Sequence, residues 1–94
     1  MKIKYNQKFL EQAEKIFTAL TYQIRYEKGN FHAGYCLLSG QKIIVINKYF
    51  TLEGRINVLI EILKKIEIPE NMLEDDDKEW VKGIIPIQNT LPLS

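Results

Sequence analysis

Gln41-Lys42-Ile43-Ile44-Val45-Ile46-Asn47-Lys48 decides the fold. Its centre, residues 43–46, is four β-branched side chains in succession. Such side chains are stiff at χ1 and pack well on a pleated surface. A strand that is apolar at every position, rather than every second one, has both faces covered, so 42–47 is expected to be an interior strand. Ser39-Gly40-Gln41 before it has the composition of a hairpin turn. That turn makes residues 34–38, Gly34-Tyr35-Cys36-Leu37-Leu38, the partner strand. Further upstream, residues 22–27 alternate. Tyr22, Ile24 and Tyr26 point one way and Gln23, Arg25 and Glu27 the other, the pattern of a half-buried strand. Lys28-Gly29-Asn30 ends it with turn chemistry.

Two helices flank these strands. In residues 7–20, Phe9, Leu10, Ala13, Ile16, Phe17 and Leu20 recur at the helical period, with Glu11, Gln12, Glu14 and Lys15 between them. Asn6 is the expected N-cap, because its side-chain oxygen can accept from an orphan backbone N–H. Thr51 caps a second helix, 52–66. Its stripe of Leu52, Ile56, Leu59, Ile60, Leu63 and Ile66 is widened by Val58 and Ile62 to roughly 200° of arc. A stripe that broad implies contact with more than one element. Glu61 and Lys65 are spaced to pair on its polar side, and Pro69 closes the region. Glu74-Asp75-Asp76-Asp77 supplies the acidic start of a short helix running through Trp80, Val81 and Lys82 and ended by Gly83. In residues 84–94, Pro86 and Pro92 bar a regular helix or central strand, so an extended apolar tail is expected. The expected architecture is α+β: a helix, a three-stranded mainly antiparallel sheet, a helix, a short C-terminal helix and the tail, all in one domain with its core in 7–83.

Composition narrows the function classes. The chain has 94 residues, too few for two domains. Lys and Arg total 13 against 12 Asp and Glu, so there is no broad basic field and nucleic acid is not an expected partner. Lys2, Lys4 and Lys8 read as a solvated face. No apolar run reaches the roughly 20 residues of a membrane span. Met1 to Asn6 lacks the apolar stretch of a signal peptide, so a cytoplasmic location is expected. With one cysteine, Cys36, the chain cannot form an internal disulfide.

His32 and Cys36 stand four residues apart around Gly34. A zinc site needs three or four thiolate, imidazole or carboxylate ligands. One histidine and one cysteine fall short, so no metal or other cofactor is expected. A Cys-His nucleophile pair needs an activating base and an orienting group, which spacing alone does not supply. Phe31-His32-Ala33-Gly34-Tyr35 has two readings: a binding edge for a peptide or ligand, or a loop whose Phe31 folds back onto the core. Asp75-Asp76-Asp77 lacks the spaced carboxylates and central glycine of a calcium loop and reads as a solvated helix start.

Arg25-Tyr26-Glu27-Lys28-Gly29-Asn30-Phe31, then Gly34-Tyr35-Cys36-Leu37-Leu38 and Ile44-Val45-Ile46-Asn47-Lys48, resembles a pattern (RYEKGxF, GYCxL, IVxNK) of a group of short bacterial proteins. The likeness spans roughly residues 20–66 and implies no particular activity. The strand Ile43–Asn47, its loop and helix 52–66 also resemble the ImmA/IrrE-type zincin-like peptidases. In that family a strand ending I-V-x-N leads into a helix carrying H-E-x-x-H, two imidazoles that hold zinc around a general base. Here Asn47 and Glu61 match the asparagine and the glutamate, while Ile60 and Lys64 occupy the histidine positions. Isoleucine cannot ligate a metal, and an ammonium has no lone pair to offer. The resemblance therefore implies a zincin-like scaffold without zinc.

The expected function is non-catalytic: binding another protein chain or a second copy, with His32, Tyr35, Cys36 and Glu61 as candidate pocket or surface residues. The rival is a metal-independent hydrolase using Glu61 as base beside His32 or Cys36. It requires those side chains to converge within about 3–4 Å.

Overall fold

The computed structural model describes residues 3–28, 35–38 and 40–85. Along the chain run α1 (Gln7–Ala19), β1 (Gln23–Glu27), β2 (Tyr35–Leu38), β3 (Ile43–Asn47), α2 (Leu52–Leu63), a 3-10 turn (Glu70–Met72) and α3 (Asp75–Ile84).

Both expected caps are in place. Asn6 has extended backbone, and its Oδ1 accepts from the Phe9 N–H at 2.7 Å. Thr51 Oγ1 accepts from the Gly54 N–H at 3.0 Å. A Cβ on Gly54 would lie 3.2 Å from the Phe50 ring, so glycine lets that ring fold against the first turn of α2. The apolar stripe of α1 is buried through Phe9, Leu10, Ala13, Ile16 and Phe17. In α2 burial takes in Ile56, Val58, Leu59, Ile60, Ile62 and Leu63, the broad contact its stripe demanded. The helix stops at Leu63 rather than 66, where the Lys65 N–H bonds to the Ile62 carbonyl three residues back at 2.9 Å.

The sheet corrects the expectation of a mainly antiparallel arrangement. Strand order is β1-β3-β2: β2 is antiparallel to β3, but β1 is parallel to it. The chain reverses after β1 and again at the β2–β3 hairpin, so strand directions alternate as expected. What differs is adjacency. β3 inserts between its predecessors, which makes β1 and β3 neighbours running the same way. The physical reason is the apolar run itself: the strand needing cover on both faces takes the centre, where both its backbone edges are also bonded. β1, with a polar face, takes an edge.

Register sorts the side chains. Ile24 pairs with Ile44 and Tyr26 with Ile46, on the face that meets the helices. Ile44 and Ile46 belong to one core cluster with the buried apolar residues of α1, α2 and α3. Gln23, Arg25 and Glu27 pair with Ile43, Val45 and Asn47, and Cys36 and Leu38 with Val45 and Ile43. These residues form the outer face.

α3 runs to Ile84, past Gly83 and into the expected tail, because Ile84 is buried in the core. The rest of the tail, 86–94, lies outside the described residues. α3 docks on α1 through the Phe9 and Trp80 rings, 5.0 Å apart. Asp77 departs from the solvated helix start expected of it. It is 4% exposed and accepts from Gln12 Nε2 at 3.1 Å, with Lys15 Nζ at 3.8 Å. Among the described residues no helix is long and apolar enough to cross a membrane.

Candidate functional site

Glu61 is exposed on α2 and pairs with Lys65 at 3.3 Å. Ile60 is 4% exposed and packed in the core. Lys64 is exposed at the C-cap, beyond the last helical residue. The two positions that would carry imidazoles therefore present a buried aliphatic group and a cation at a helix end. Asn47 Oδ1 accepts from the Tyr49 N–H at 3.0 Å and shapes the turn after β3. Cys36 is half-buried on the outer face, opposite Val45, whereas α2 packs on the other face. The sheet thus lies between Cys36 and Glu61, and the fold does not bring them together. His32 and the Phe31 loop lie outside the described residues. Tyr35 begins β2, opposite Ile46. Among the described residues no group of three or more His, Cys, Asp or Glu is placed to hold a metal ion.

The outer face is the larger candidate surface. Its apolar row is Cys36 and Leu38 from β2 with Ile43 and Val45 from β3. Leu38 is 37% exposed and Ile43 and Cys36 are half-buried, while Val45, flanked by Arg25 and Cys36 in the register, is buried. None of these four belongs to the cluster shared by the three helices. On the β1 side Arg25 Nε meets Glu27 Oε2 at 2.8 Å, both about half exposed, so this rim is charge-balanced. The apolar run at 43–46 announces this face, but only the register shows which of its residues lie there.

A cavity of about 310 Å³ opens at the N-terminal end of β1 and β3, lined by Leu20, Tyr22, Lys42, Ile66, Glu67, Pro69 and Met72. Lys42 Nζ lies 3.0 Å from Thr21 Oγ1, 3.4 Å from the Leu20 carbonyl and 5.6 Å from the centre of the Tyr22 ring. Thr21 and Lys42 both have left-handed backbone, φ 68° and 55°. Such a conformation is costly for any residue with a Cβ, and most for a β-branched one. They are linked by short steps, since the Gln23 N–H donates to the Lys42 carbonyl at 2.8 Å. Sequence reasoning missed this cavity because its walls come from three separate connections.

At the opposite end of the sheet the Tyr26 hydroxyl donates to Glu14 Oε2 of α1. The Arg55 guanidinium stands 4.7 Å from the centre of the Tyr26 ring, held by the carbonyls of Lys48 at 2.8 Å and Phe50 at 3.2 Å. Burial, with the neighbouring Glu14 carboxylate, pushes the Tyr26 phenol well above its ordinary range. A phenol so firmly protonated serves as a fastening between α1, β1 and the start of α2, not as a proton donor near neutral pH.

Comparison with protein-family models, with curated proteins and with solved structures finds no match to this chain.

Proposed function

We propose that this chain is a non-catalytic module that associates with a second copy of itself through the outer face of its sheet. The observation that carries the reading is the apolar row Cys36, Leu38, Ile43 and Val45, which faces away from all three helices. An apolar sheet face gains by leaving water against another surface. The balanced Arg25–Glu27 rim gives a strongly acidic or basic partner nothing to complement. A copy of the same face meets no net charge, and two-fold pairing of identical patches is the commonest form of self-association. The resemblance to a zincin-like scaffold, with Ile60 and Lys64 at the imidazole positions, supports the non-catalytic half of the reading.

Sedimentation equilibrium between about 10 μM and 1 mM, a range suited to a modest interface, tests it. The expected result is a reversible monomer–dimer equilibrium that Leu38→Asp weakens by at least about tenfold. A strict monomer across that range contradicts the proposal, as does association that Leu38→Asp leaves unchanged. A monomer that associates only after residues 86–94 are removed assigns the face to the chain's own tail and also contradicts it.

A further inference from the structure

We infer that the cavity between the β2–β3 hairpin and the segment after α2 binds a small zwitterion with an apolar body, a free α-amino acid being the simplest member of that class. Two features of its wall specify this chemistry. Lys42 reaches it from the hairpin and Glu67 from the segment after α2, so a cation and an anion border one concavity. Among the described residues neither forms an ion pair. A simple carboxylic acid would meet Lys42 but be repelled by Glu67, and a simple amine would meet the reverse. A zwitterion satisfies both. Between the charges, Leu20, Ile66, Pro69 and Met72 offer an apolar wall, and the Tyr22 ring lies under the ammonium.

The ammonium is positioned rather than loose. Two of its three donors have partners in Thr21 Oγ1 and the Leu20 carbonyl, which leaves the third for a ligand carboxylate. Both residues that set this position, Thr21 and Lys42, hold left-handed backbone. Neither is the glycine or asparagine that such a conformation favours, and unfavourable backbone retained beside a cavity is a mark of a binding site. At about 310 Å³ the cavity stands at the low end of the roughly 300–1,000 Å³ of small-molecule sites, which favours a ligand of amino-acid size. The inference is independent of self-association, since the cavity lies apart from the outer face.

Isothermal titration calorimetry on the full chain tests it with L-leucine, L-methionine and L-phenylalanine, and with 4-methylpentanoate and 3-methylbutylamine as leucine lacking its amine or its carboxylate. At least one amino acid should bind saturably below about 10 mM. If leucine is that ligand, each truncated analogue should bind at least about tenfold more weakly, as loss of a charge-assisted bond implies. If it is methionine or phenylalanine, the corresponding amine and acid serve as the analogues. Lys42→Met should erase the preference over the amine and Glu67→Gln the preference over the acid. Glu67 lies in an exposed segment outside the helices, so Glu67→Gln keeps the fold and the test. Failure of all three amino acids to bind overturns the inference. So do equal affinities for the amino acid and its analogues, a preference over the acid that survives in Glu67→Gln, or a preference over the amine that survives in Lys42→Met.

Discussion

Thr21 illustrates what a single residue conceals. Nothing in its chemistry announces φ 68°, because a β-branched side chain is the last choice for left-handed backbone. The turn is imposed from both sides: its N–H bonds to the Thr18 carbonyl at 2.9 Å, and the next N–H, of Tyr22, to the Phe17 carbonyl at 2.9 Å. Asparagine tolerates this conformation and keeps a side-chain oxygen, so Thr21→Asn should raise the unfolding free energy by about 0.5–1 kcal/mol, read from urea denaturation. Tyr26 is equally silent in the sequence, since its partner Glu14 comes from a helix twelve positions earlier. Tyr26→Phe should cost about 1–2 kcal/mol at neutral pH, where it removes a hydrogen bond to a carboxylate. The phenol's folded pKa lies above its ordinary value of about 10. Its contribution is therefore complete below pH 10 and is lost as the pH rises beyond it. Stability measured from pH 9 to 11 should fall more steeply in the wild type than in Tyr26→Phe. By contrast, the caps Asn6 and Thr51 were legible, because a cap is decided by its own side chain and the next three residues.

At the scale of elements, α1, α2 and β1 were readable from periodicity, β3 from its apolar run, β2 from the turn beside it and α3 from its acidic start, with ends displaced by a residue or a few. The 3-10 turn Glu70–Met72 was not foreseen. Nor was sheet order, because alternation and β-branching specify direction and burial but not which strands are neighbours. The run 43–46 held the clue: a strand apolar at every position belongs between the others. α2 bears on the zincin resemblance directly. A histidine at 60 would enter a position that is 4% exposed, and one at 64 would sit past the helical end. Ile60→His with Lys64→His should therefore lower stability by at least about 2 kcal/mol through lost apolar burial. Added zinc should not restore the thermal midpoint, and a zinc-dependent rise would show that the helix can grip the metal. α3 is fastened to α1 through a buried carboxylate that looked like surface charge. Asp77→Ala leaves Gln12 and Lys15 without their acceptor and should cost about 1–3 kcal/mol in chemical denaturation.

The described residues form a three-stranded sheet with their helices on one side. A chain of 94 residues buries a smaller share of its surface than a larger domain does, and among the described residues the helices cover one face of the sheet. Of the candidate residues chosen from sequence, this arrangement sets Cys36 on the outer face and Glu61 on a helix beyond the opposite face. Of the two surfaces with chemistry, the outer face was half legible, as an apolar strand whose second face needed cover. The cavity was not, since it forms where three connections meet. The sharpest test of the account is a dilution series followed in methyl-resolved NMR spectra. The side chains of β3 alternate between faces, so self-association should shift the Ile43 and Val45 methyls, together with Leu38, as concentration rises, and leave Ile44 and Ile46 in place. Shifts confined to helix methyls, or spectra unchanged up to about 1 mM, would contradict it.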